Sequence, residues 1–580
     1  LILQVFQILN CFPEYRWITG ILNKRFLVGN NKIMRLLCII FFYGEIYMIE
    51  NLKRRKINKF VNDISKNIDI IKKYYRKIQR NYNYDAIWLS DNYHLFFKAF
   101  KSLETTFTKN KSLPEGTGKR PRVYDIAIDY ISMNSDVFTA KAFENYLLKT
   151  SYDKELQYDE IEILPDVLKY CYIEIAACAV KKEEDIDFFS VVSSIRALSD
   201  YSYFSFSEKI YPCTDMLEKY SCYNNLDEES KLLYRKLINK NSKKEKTTER
   251  DYIQHLINKS AGKDISFLLF NKKKNYYFVF FAALFCILTI LYSITVKNIF
   301  IIIFSIVPLY YLSKIISEKF YSLIKKGEYV PSVTPNLKTE KNLITTVTLI
   351  SDFSTIDKLV EKTERCRLSN YDSNFLYGIL ADLPASDKEH NDSDIEFCDY
   401  IKRKIDYLNK KYDGEFFVAI RKKTYNNESK KYCGWERKRG ALNNFVSAIK
   451  EKDFSSFIVS EGLLENAKYI TVLDDDTLPE IDSVRRLVGV LMHPVHKPRL
   501  NSDGNALQSG YGAAIPRLDI RLSSSQKTHF VSMKGIDSGK ELYSNSYFSV
   551  YQDLFGEGSF AGKGVIDIDI FYKVICGLFP

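Results

Sequence analysis

Two long apolar runs near the middle of the 580-residue chain constrain its structure more than any other feature. The first run, Tyr276–Val296, carries no charged residue, and the second, Ile299–Ile316, carries only Lys314 near its end. About 20 consecutive apolar residues suffice for a helix to cross the hydrocarbon core of a bilayer. The sequence therefore predicts a two-helix transmembrane hairpin over residues 276–316. The alternative is a pair of buried core helices in a soluble protein.

Basic residues flank both ends of this predicted hairpin. Lys272–Lys274 precede it, and Lys319, Lys325 and Lys326 come after it. Since lysine and arginine next to membrane spans stay on the cytoplasmic side, we expect both flanking regions to lie in the cytosol. The lipid bilayer is then a predicted partner, and the flanking lysines lie beside its anionic headgroups.

Charge and cysteine usage limit the remaining possibilities. The 84 basic and 72 acidic residues leave a formal charge of +12, which is modest for this length and too diffuse to indicate a nucleic-acid partner. The 11 cysteines include no C-x-x-C pair, and the six histidines are scattered, so no zinc site is predicted. This pattern is typical of reduced thiols in the cytosol.

The region before residue 48 differs from the rest of the chain. The sequence begins with Leu1, and the apolar run Leu36–Ile49 is too short and too interrupted, by Glu45, for a membrane span. We expect translation to begin at Met34 or Met48, which makes residues 1–47 a non-native leader. Residues 48–265 form a polar and apolar mosaic with helical spacing, which predicts an α-helical cytosolic region. The clearest predicted helical face comprises Phe60, Ile64, Ile68, Ile71 and Tyr75.

After the hairpin, from about residue 340, strand and helix patterns alternate, which predicts a mainly parallel α/β sheet. Ligands of such sheets bind at the carboxyl ends of the strands. The predicted strands are residues 342–350, 375–382, 416–420 and 469–473. The predicted helices are residues 356–363, 401–411 and 441–449.

Three consecutive acids, Asp474–Asp476, come directly after the last of these strands. In an extended segment, side chains two residues apart share a face, so Asp474 and Asp476 are predicted to point to the same place. Adjacent carboxylates repel each other unless a cation lies between them, and Mg²⁺ or Mn²⁺ prefers oxygen ligands and bridges to phosphates. The functional interpretation is metal-assisted binding of a diphosphate sugar. The alternative is a solvated acidic turn.

Two further segments carry candidate chemistry. Gly434–Asn444 places a basic run before a helix, whose N-terminus favours anions such as a pyrophosphate, and Gly440 would let a backbone approach closely. The alternative is a solvated basic surface. The segment Tyr551–Asp569 concentrates glycines 556, 558 and 562 in a chain that is poor in glycine, which indicates a loop that contacts substrate rather than a plain turn.

Together these segments resemble the cyclic β-1,2-glucan synthases, large inner-membrane proteins whose glycosyltransferase domain is related to cellulose and chitin synthases. Weaker similarity covers Trp88–Phe96 and Leu113–Tyr124, so the resemblance extends over most of the chain after residue 50. The segments that carry the resemblance are Ile379–Pro384, Gly434–Gly440, Thr471–Thr477, Arg485–Gly489 with His493-Pro494, and Tyr551–Asp569.

The resemblance implies an inverting, UDP-glucose-dependent transferase that extends a glucan acceptor, with a GT-A-like nucleotide-sugar domain over residues 340–580. It also implies an inner (cytoplasmic) membrane location. By position, Asp474 and Asp476 take the role of the family's D-x-D metal site for Mg²⁺ or Mn²⁺. The implied donor-binding residues are Asp382, where such folds hold the nucleotide base, Arg437, Lys438, Gly440, Asn443 and Asp475. On the sugar or acceptor side, the resemblance implies the candidate catalytic residue Glu557 together with Lys563, Asp567 and Asp569.

One departure from the family pattern bears on activity. An inverting transferase needs a general base for the attacking hydroxyl. In the family this acid lies in a motif resembling S-H-D, and the resemblance puts it beyond Pro580, as it does the later transmembrane helices and the phosphorylase-like C-terminal domain. We therefore expect this chain to bind donor without turning over acceptor. The alternatives are a synthase of another sugar or linkage, and a non-catalytic membrane relative.

Overall fold

The structure is a computed structural model of the chain, and it divides into two units. One comprises Leu1–Tyr220 and Tyr234–Gly262, and the other Ser221–Leu233 and Lys263–Pro580. The residues that it describes are 60–78, 87–109, 113–114, 116–117, 120–134, 137–153, 155–184, 187–270, 277–296, 298–324, 330–334, 341–461, 467–516, 528–536, 560 and 562–576. The predicted leader 1–47 lies outside these residues.

The regular elements described between residues 60 and 270 are helical, as the spacing of apolar residues predicts. On the first helix, Phe60, Ile64, Ile68 and Ile71 are buried and Tyr75 is half-buried, which confirms the predicted face. The helices are residues 60–78 (α1), Ile87–Asp91 (α2), Tyr93–Lys109 (α3), Arg122–Met133 (α4), Ala140–Asp153 (α5), Tyr158–Lys182 (α6), Phe188–Asp200 (α7), Phe204–Ile210 (α8), Thr214–Tyr220 (α9), Glu228–Glu245 (α10), Glu249–Ser260 (α11) and Ser266–Leu269 (α12), with a 3₁₀ turn at Tyr223–Asn225.

Helix α6 forms the centre of the first unit, because apolar residues lie on most of its surface and α3, α4 and α7 pack against it. Its N-terminus is closed by a capping box between Gln157 and Glu160. The fully buried Glu160 carboxylate also accepts hydrogen bonds from the Arg122 guanidinium at 2.9 and 2.6 Å. A buried charge thus has its partner, and the helix is fixed at its start.

Two apolar helices come next, Tyr277–Thr295 (α13) and Ile299–Ile324 (α14). They pack on each other through aromatic rings, with Phe280 stacked on Phe320 at 4.8 Å between centroids. Within the described residues, these two helices are long and apolar enough to cross a membrane. Length and composition alone are weak evidence for a span. The helices are nevertheless not the buried core helices of the alternative interpretation, since 0% and 6% of their apolar windows are buried.

A seven-stranded mixed sheet forms the core of the rest of the second unit. The strands described there are Lys341–Leu349 (β1), Phe375–Asp382 (β2), Phe416–Arg421 (β3), Thr424–Asn426 (β4), Lys431–Cys433 (β5), Phe457–Glu461 (β6), Ala467–Leu473 (β7), Arg499–Leu500 (β8), Leu507–Ser509 (β9), Ala513–Ala514 (β10) and Gly564–Asp567 (β11), with β4–β5 and β8–β9 as separate hairpins. The order in the seven-stranded sheet is β10-β11-β7-β1-β2-β3-β6. The central strands β7, β1, β2 and β3 are parallel, whereas β6, β11 and β10 pair antiparallel at the two edges. The expectation of a mainly parallel sheet thus holds for the centre only.

Helices cover both faces of the sheet, and each face has its own apolar core. On one face, side chains such as Ile356, Ile401 and Val488 from three helices pack over Ile379 and its neighbours. On the other, Phe445 and Ile568 from two helices pack over the alternate side chains of the same strands. The helices described after residue 340 are Phe353–Ser369 (α15), Asp392–Lys411 (α16), Arg437–Glu451 (α17), Ser483–Met492 (α18), His529–Ile536 (α19) and Ile568–Val574 (α20).

Candidate functional site at the carboxyl edge of the sheet

The four parallel strands end at one edge of the sheet, and the predicted donor residues lie at the ends of two of them. Asp382 is the last residue of β2, and Asp474–Asp476 form the turn after β7. Helix α17, which begins at Arg437, brings Lys438 to the same edge, where its ammonium group contacts Asp474. The sheet therefore gathers residues that are far apart in the sequence, at the edge where α/β proteins bind ligands.

Lysines surround the Asp474 carboxylate. Its Oδ1 accepts from Lys438 Nζ, and its Oδ2 lies 3.0 Å from Lys563 Nζ. Partial burial acts to raise the pKa of Asp474, but the hydrogen bonds from the two lysines outweigh it and hold the pKa below its ordinary value. Lys438 also donates to the Gly562 carbonyl oxygen at 2.6 Å. The ammonium group of Lys438 thus joins the acidic turn to the segment that contains Gly562.

Asp476 lies beside the same lysine, Lys563, as Asp474 does. Its Oδ1 lies 3.8 Å from Lys563 Nζ and accepts from the Thr477 hydroxyl at 2.9 Å. Its side chain is 77% exposed, so it can turn towards a ligand, and Asp475 is also exposed in the same turn. Two carboxylates of the acidic turn therefore face one cationic centre.

Lys362 is a residue of this site that sequence reasoning missed. It lies on α15, is only 7% exposed, and its ammonium group donates to the main-chain carbonyl of Asp474. Burial lowers the pKa of Lys362 to about 8, although Cys366 and the acids of the turn act in the opposite direction. The available signal was its spacing: Lys362 lies three residues after Leu359 and four before Cys366, on the buried face of the helix.

The chain enters α17 through a strained turn, and the basic residues Arg437–Arg439 are the first three of the helix. Glu436 and Arg437 have φ angles of 54° and 44°, and Arg437 is exposed at the start of the helix. Gly440 is buried, and a Cβ there would lie 2.2 Å from the Trp435 carbonyl oxygen. The close approach at Gly440 is therefore to the main chain of the turn at Trp435. Asn443, one turn further along, has a buried Oδ1 without a hydrogen-bond partner among the described residues.

Asp382 is engaged within the protein. Its two carboxylate oxygens accept from Arg421 Nε at 2.9 Å and Nη2 at 2.8 Å, and both side chains are almost completely buried. Arg421, which ends β3, is a second residue that sequence reasoning missed. A charged residue directly after a run of buried strand residues was the signal that could have identified it.

The structure does not bring Asp567 and Asp569 to this site. Strand β11 runs antiparallel to β7, so its start lies near the acidic turn and its end, at Asp567, lies opposite Tyr469. Four residues of strand separate Lys563 from Asp567 by roughly 13 Å. Asp567 instead caps α20, and Asp569 pairs with Lys450 and Lys468 at 2.5 Å each. These two acids therefore lie away from the acidic turn, and their sugar-side role stays a prediction. Glu557 lies outside the described residues.

The carboxylates and ammonium groups at this edge suit a cation that binds together with a phosphate. Among the described residues, no group of three or more His, Cys, Asp or Glu side chains could hold a metal ion. Asp474 and Asp476 supply two hard oxygen ligands, as Mg²⁺ and Mn²⁺ prefer. A bare cation would compete with the ammonium groups of Lys438 and Lys563 for these oxygens. A cation–diphosphate complex would instead supply anionic oxygens to both lysines.

The amino-acid sequence was compared with known proteins. No family model matches the chain. It is 32% identical over 237 residues to the cyclic beta-(1,2)-glucan synthase NdvB of Rhizobium meliloti (strain 1021). Part of this chain is distantly similar to a cyclic β-1,2-glucan synthase. The matched residues make up 40% of this chain and 8% of the relative, so the resemblance predicted from the motifs is confirmed as a partial one.

Proposed function

We propose that this chain is the donor-binding part of a membrane glucosyltransferase that uses UDP-glucose to extend a β-1,2-glucan. The observation that carries the proposal is the cluster of Asp474, Asp476, Lys438 and Lys563 at the carboxyl edge of the parallel strands. The partial similarity to a glucan synthase supports the sugar and the linkage.

A GT-A-like fold for the α/β part agrees with the sheet. Parallel strands at its centre, helices on both faces and a ligand edge after β2 and β7 are what a nucleotide-sugar domain requires. We propose the GT-A-like assignment on this architecture together with the acidic turn. The general base stays a prediction for residues outside those described.

In the proposed complex, the Asp474 and Asp476 carboxylates would hold Mg²⁺ or Mn²⁺, and the cation would supply charge neutralisation for the diphosphate. Lys438 and Lys563 exchange their carboxylate contacts for diphosphate oxygens, since ammonium groups bind phosphate as readily as carboxylate. Lys362 holds the main chain of the turn from below through the Asp474 carbonyl. These residues bind and orient the donor.

We propose that α13 and α14 cross the inner membrane as a hairpin, with the regions before and after it in the cytosol. The support is their exposed apolar surface and the lysines next to their ends in the sequence. A cytosolic site is also where a UDP-sugar donor is available.

The test uses the full chain in lipid nanodiscs and measures UDP-glucose binding with Mn²⁺ and with a chelator. We expect Mn²⁺-dependent binding that Asp474→Asn combined with Asp476→Asn weakens at least 30-fold, because two metal-ligand carboxylates are lost. Asp503→Asn, in an exposed loop of the same unit, serves as the matched control.

Each contrary result has a distinct meaning. Binding that the chelator and the double variant leave unchanged would contradict the metal-assisted site. A folded wild-type chain that binds no UDP-sugar at millimolar concentration would favour the non-catalytic membrane relative. Tighter binding of a different nucleotide sugar would favour a synthase of other specificity.

A further inference from the structure

We propose that Arg421 and Asp382 are a positioning pair, which holds the turn before α17 and thereby aims Lys438 at the acidic turn. The pair is distinct from the ligand-binding groups because both side chains are buried: Arg421 is 2% exposed and Asp382 7%. The inference deepens the proposed function, and it rests on that function only for its nucleotide-binding readout.

The pair joins the ends of two adjacent strands. In the register of β2 and β3, Ala381 lies opposite Ile420, so Asp382 and Arg421 are the next neighbours along the two strands. The guanidinium donates to both carboxylate oxygens, at 2.9 and 2.8 Å. This two-pronged geometry fixes the plane and the position of the guanidinium, as a single contact cannot.

The same guanidinium holds the turn. Arg421 Nη2 donates to the carbonyl oxygens of Trp435 at 2.9 Å and Arg437 at 3.3 Å. Between these carbonyls the backbone passes through left-handed φ angles at Glu436 and Arg437, a conformation that residues other than glycine seldom adopt. Such a conformation persists only where its surroundings enforce it. The carbonyl contacts of Arg421 are an enforcing element.

The pair also accounts for two glycines of the segment. A Cβ at Gly434 would lie 2.5 Å from Arg421 Nη2 and 2.7 Å from the Asp382 carboxylate. A Cβ at Gly440 would lie 2.2 Å from the Trp435 carbonyl and 2.9 Å from Arg421 Nη1. Both glycines are therefore needed for the turn to close over the guanidinium.

The consequence reaches the site through Lys438. This residue lies directly after the turn, in the first turn of α17, and its ammonium group bridges Asp474 and the Gly562 carbonyl. A displaced turn displaces that ammonium group. Asp382, by contrast, has both oxygens occupied by Arg421, so a uracil ring could hydrogen-bond to it only by breaking the pair.

The test measures binding of UDP and of CDP, each with MnCl₂, to the full chain in nanodiscs. Arg421→Lys keeps the charge but loses the two-pronged contact, and Asp382→Asn keeps the shape but loses the charge. We expect each variant to weaken UDP binding by about tenfold or more, with the ratio of UDP to CDP affinity unchanged. Because the two residues act as a unit, the double variant should lose little more than either single one.

A matched control comes from another buried ion pair of the unit. Lys423 Nζ lies 2.7 Å from Asp394 Oδ2, and both side chains are buried. Asp394→Asn also disrupts a buried pair, and it should leave UDP affinity within twofold of wild type. If Asp394→Asn weakens binding as much as Asp382→Asn does, the effect is general destabilisation and the proposal is overturned.

A second measurement does not require nucleotide. Arg437, Lys438 and Arg439 lie where the turn passes into the first turn of α17, so trypsin cleavage there reports whether the turn is held. We expect Arg421→Lys and Gly434→Ala, which crowds the pair without removing a charge, to speed cleavage at least fivefold. The Asp394→Asn control should not change the rate.

These readouts separate the outcomes. A change in the UDP to CDP ratio with Asp382→Asn but not with Arg421→Lys would show that Asp382 reads the base, and would overturn the proposal. Wild-type cleavage rates in both Arg421→Lys and Gly434→Ala would overturn it as well. A wild-type chain that binds no UDP would contradict the proposed function, while the cleavage result would still decide the role of the pair.

Discussion

Two clusters of aspartate and lysine lie at opposite ends of the same strand pair, β7 and β11. At the carboxyl end of β7, Asp474 and Asp476 meet Lys438 and Lys563. At its amino end, Asp567 and Asp569 meet Lys450 and Lys468. We call these the carboxyl-edge cluster and the amino-edge cluster.

The clusters have the same chemistry but different settings. The acids of the carboxyl-edge cluster lie in an irregular turn, and one of them is largely exposed. In the amino-edge cluster, Asp567 caps a helix through the Ile570 N–H at 3.1 Å, so its carboxylate is already used. Acid–lysine pairing alone therefore does not define a site. Position at the ligand edge and the 77% exposure of Asp476 distinguish the first cluster.

The largest expected difference is between two lysines of one helix. Lys438→Gln should weaken Mn²⁺-dependent UDP binding about 30-fold, or about 2 kcal/mol, because a charged contact to the diphosphate is lost. Lys450→Gln, on the same helix but in the amino-edge cluster, should stay within twofold of wild type. The measurement is calorimetry of UDP binding. Equal losses of UDP affinity in the two variants would contradict the assignment of ligand binding to the carboxyl-edge cluster.

Acid sensitivity above pH 4 should come from neither cluster but from two buried histidines, chiefly His493, since burial lowers the pKa of both His493 and His496. Burial, and then the neighbouring His496, lowers the pKa of His493 to about 3, while Asp227 acts in the opposite direction. Between pH 6.5 and 3 the unfolded chain binds a proton at His493 that the folded chain does not. The free energy of unfolding therefore decreases as the pH is lowered through this range. The loss from pH 7 to pH 5 should be about 2 kcal/mol.

Thermal unfolding of His493→Asn at these two pH values checks the assignment. The variant should lose most of the difference between pH 7 and pH 5, and His390→Asn, at an exposed histidine of the same unit, should retain it. An undiminished difference in His493→Asn would assign the acid sensitivity to other groups.

Lys362→Met separates stability from binding in the carboxyl-edge cluster. We expect UDP affinity with Mn²⁺ to fall about tenfold, because the Asp474 carbonyl loses its anchor. The free energy of unfolding should stay level or rise, since a buried charge is replaced by an apolar group. Lys358→Met, at an exposed position of the same helix, is the control. A parallel fall in affinity and stability would indicate a purely structural role.

The smallest effect is expected in the amino-edge cluster. Partial burial acts to raise the pKa of Asp569, but hydrogen bonds from Lys450 and Lys468 hold the pKa below its ordinary value of 3.8. Its pairs thus stabilise the fold above that pH and lose their effect as pH falls through the folded value. Asp569→Asn should cost less than about 1 kcal/mol at pH 7, because the pairs are screened. Denaturant unfolding should show this cost vanishing towards pH 2.

The central strands could be predicted because burial on both faces leaves an unbroken apolar run. Residues 375–382 match β2 at both ends, and the other three predicted strands differ by at most two residues at an end. Edge strands carry no such signal: β6 and β11 are short, and their direction depends on partners far away in the sequence. The distance of Asp567 and Asp569 from the acidic turn therefore could not be predicted from the sequence.

The site was predictable in part. Asp474, Asp476 and Lys438 lie together because strand ends and a helix start converge on one edge. The resemblance puts Lys563 on the sugar or acceptor side, whereas the structure places it beside Asp474. Lys362 acts through the main-chain carbonyl of Asp474, and Arg421 acts through its buried ion pair with Asp382. A sequence motif does not reveal either kind of contact. Their only trace in the sequence is a charge on an otherwise apolar face.

The most direct test of the central claim is Mn²⁺ binding by the full chain, monitored by electron paramagnetic resonance with and without UDP. Because lysines neutralise the carboxyl-edge cluster, UDP should tighten Mn²⁺ binding at least tenfold. Asp474→Asn should abolish this gain, and Asp569→Asn should preserve it. If the gain is lost in Asp569→Asn and kept in Asp474→Asn, the site has been assigned to the wrong end of the strand pair.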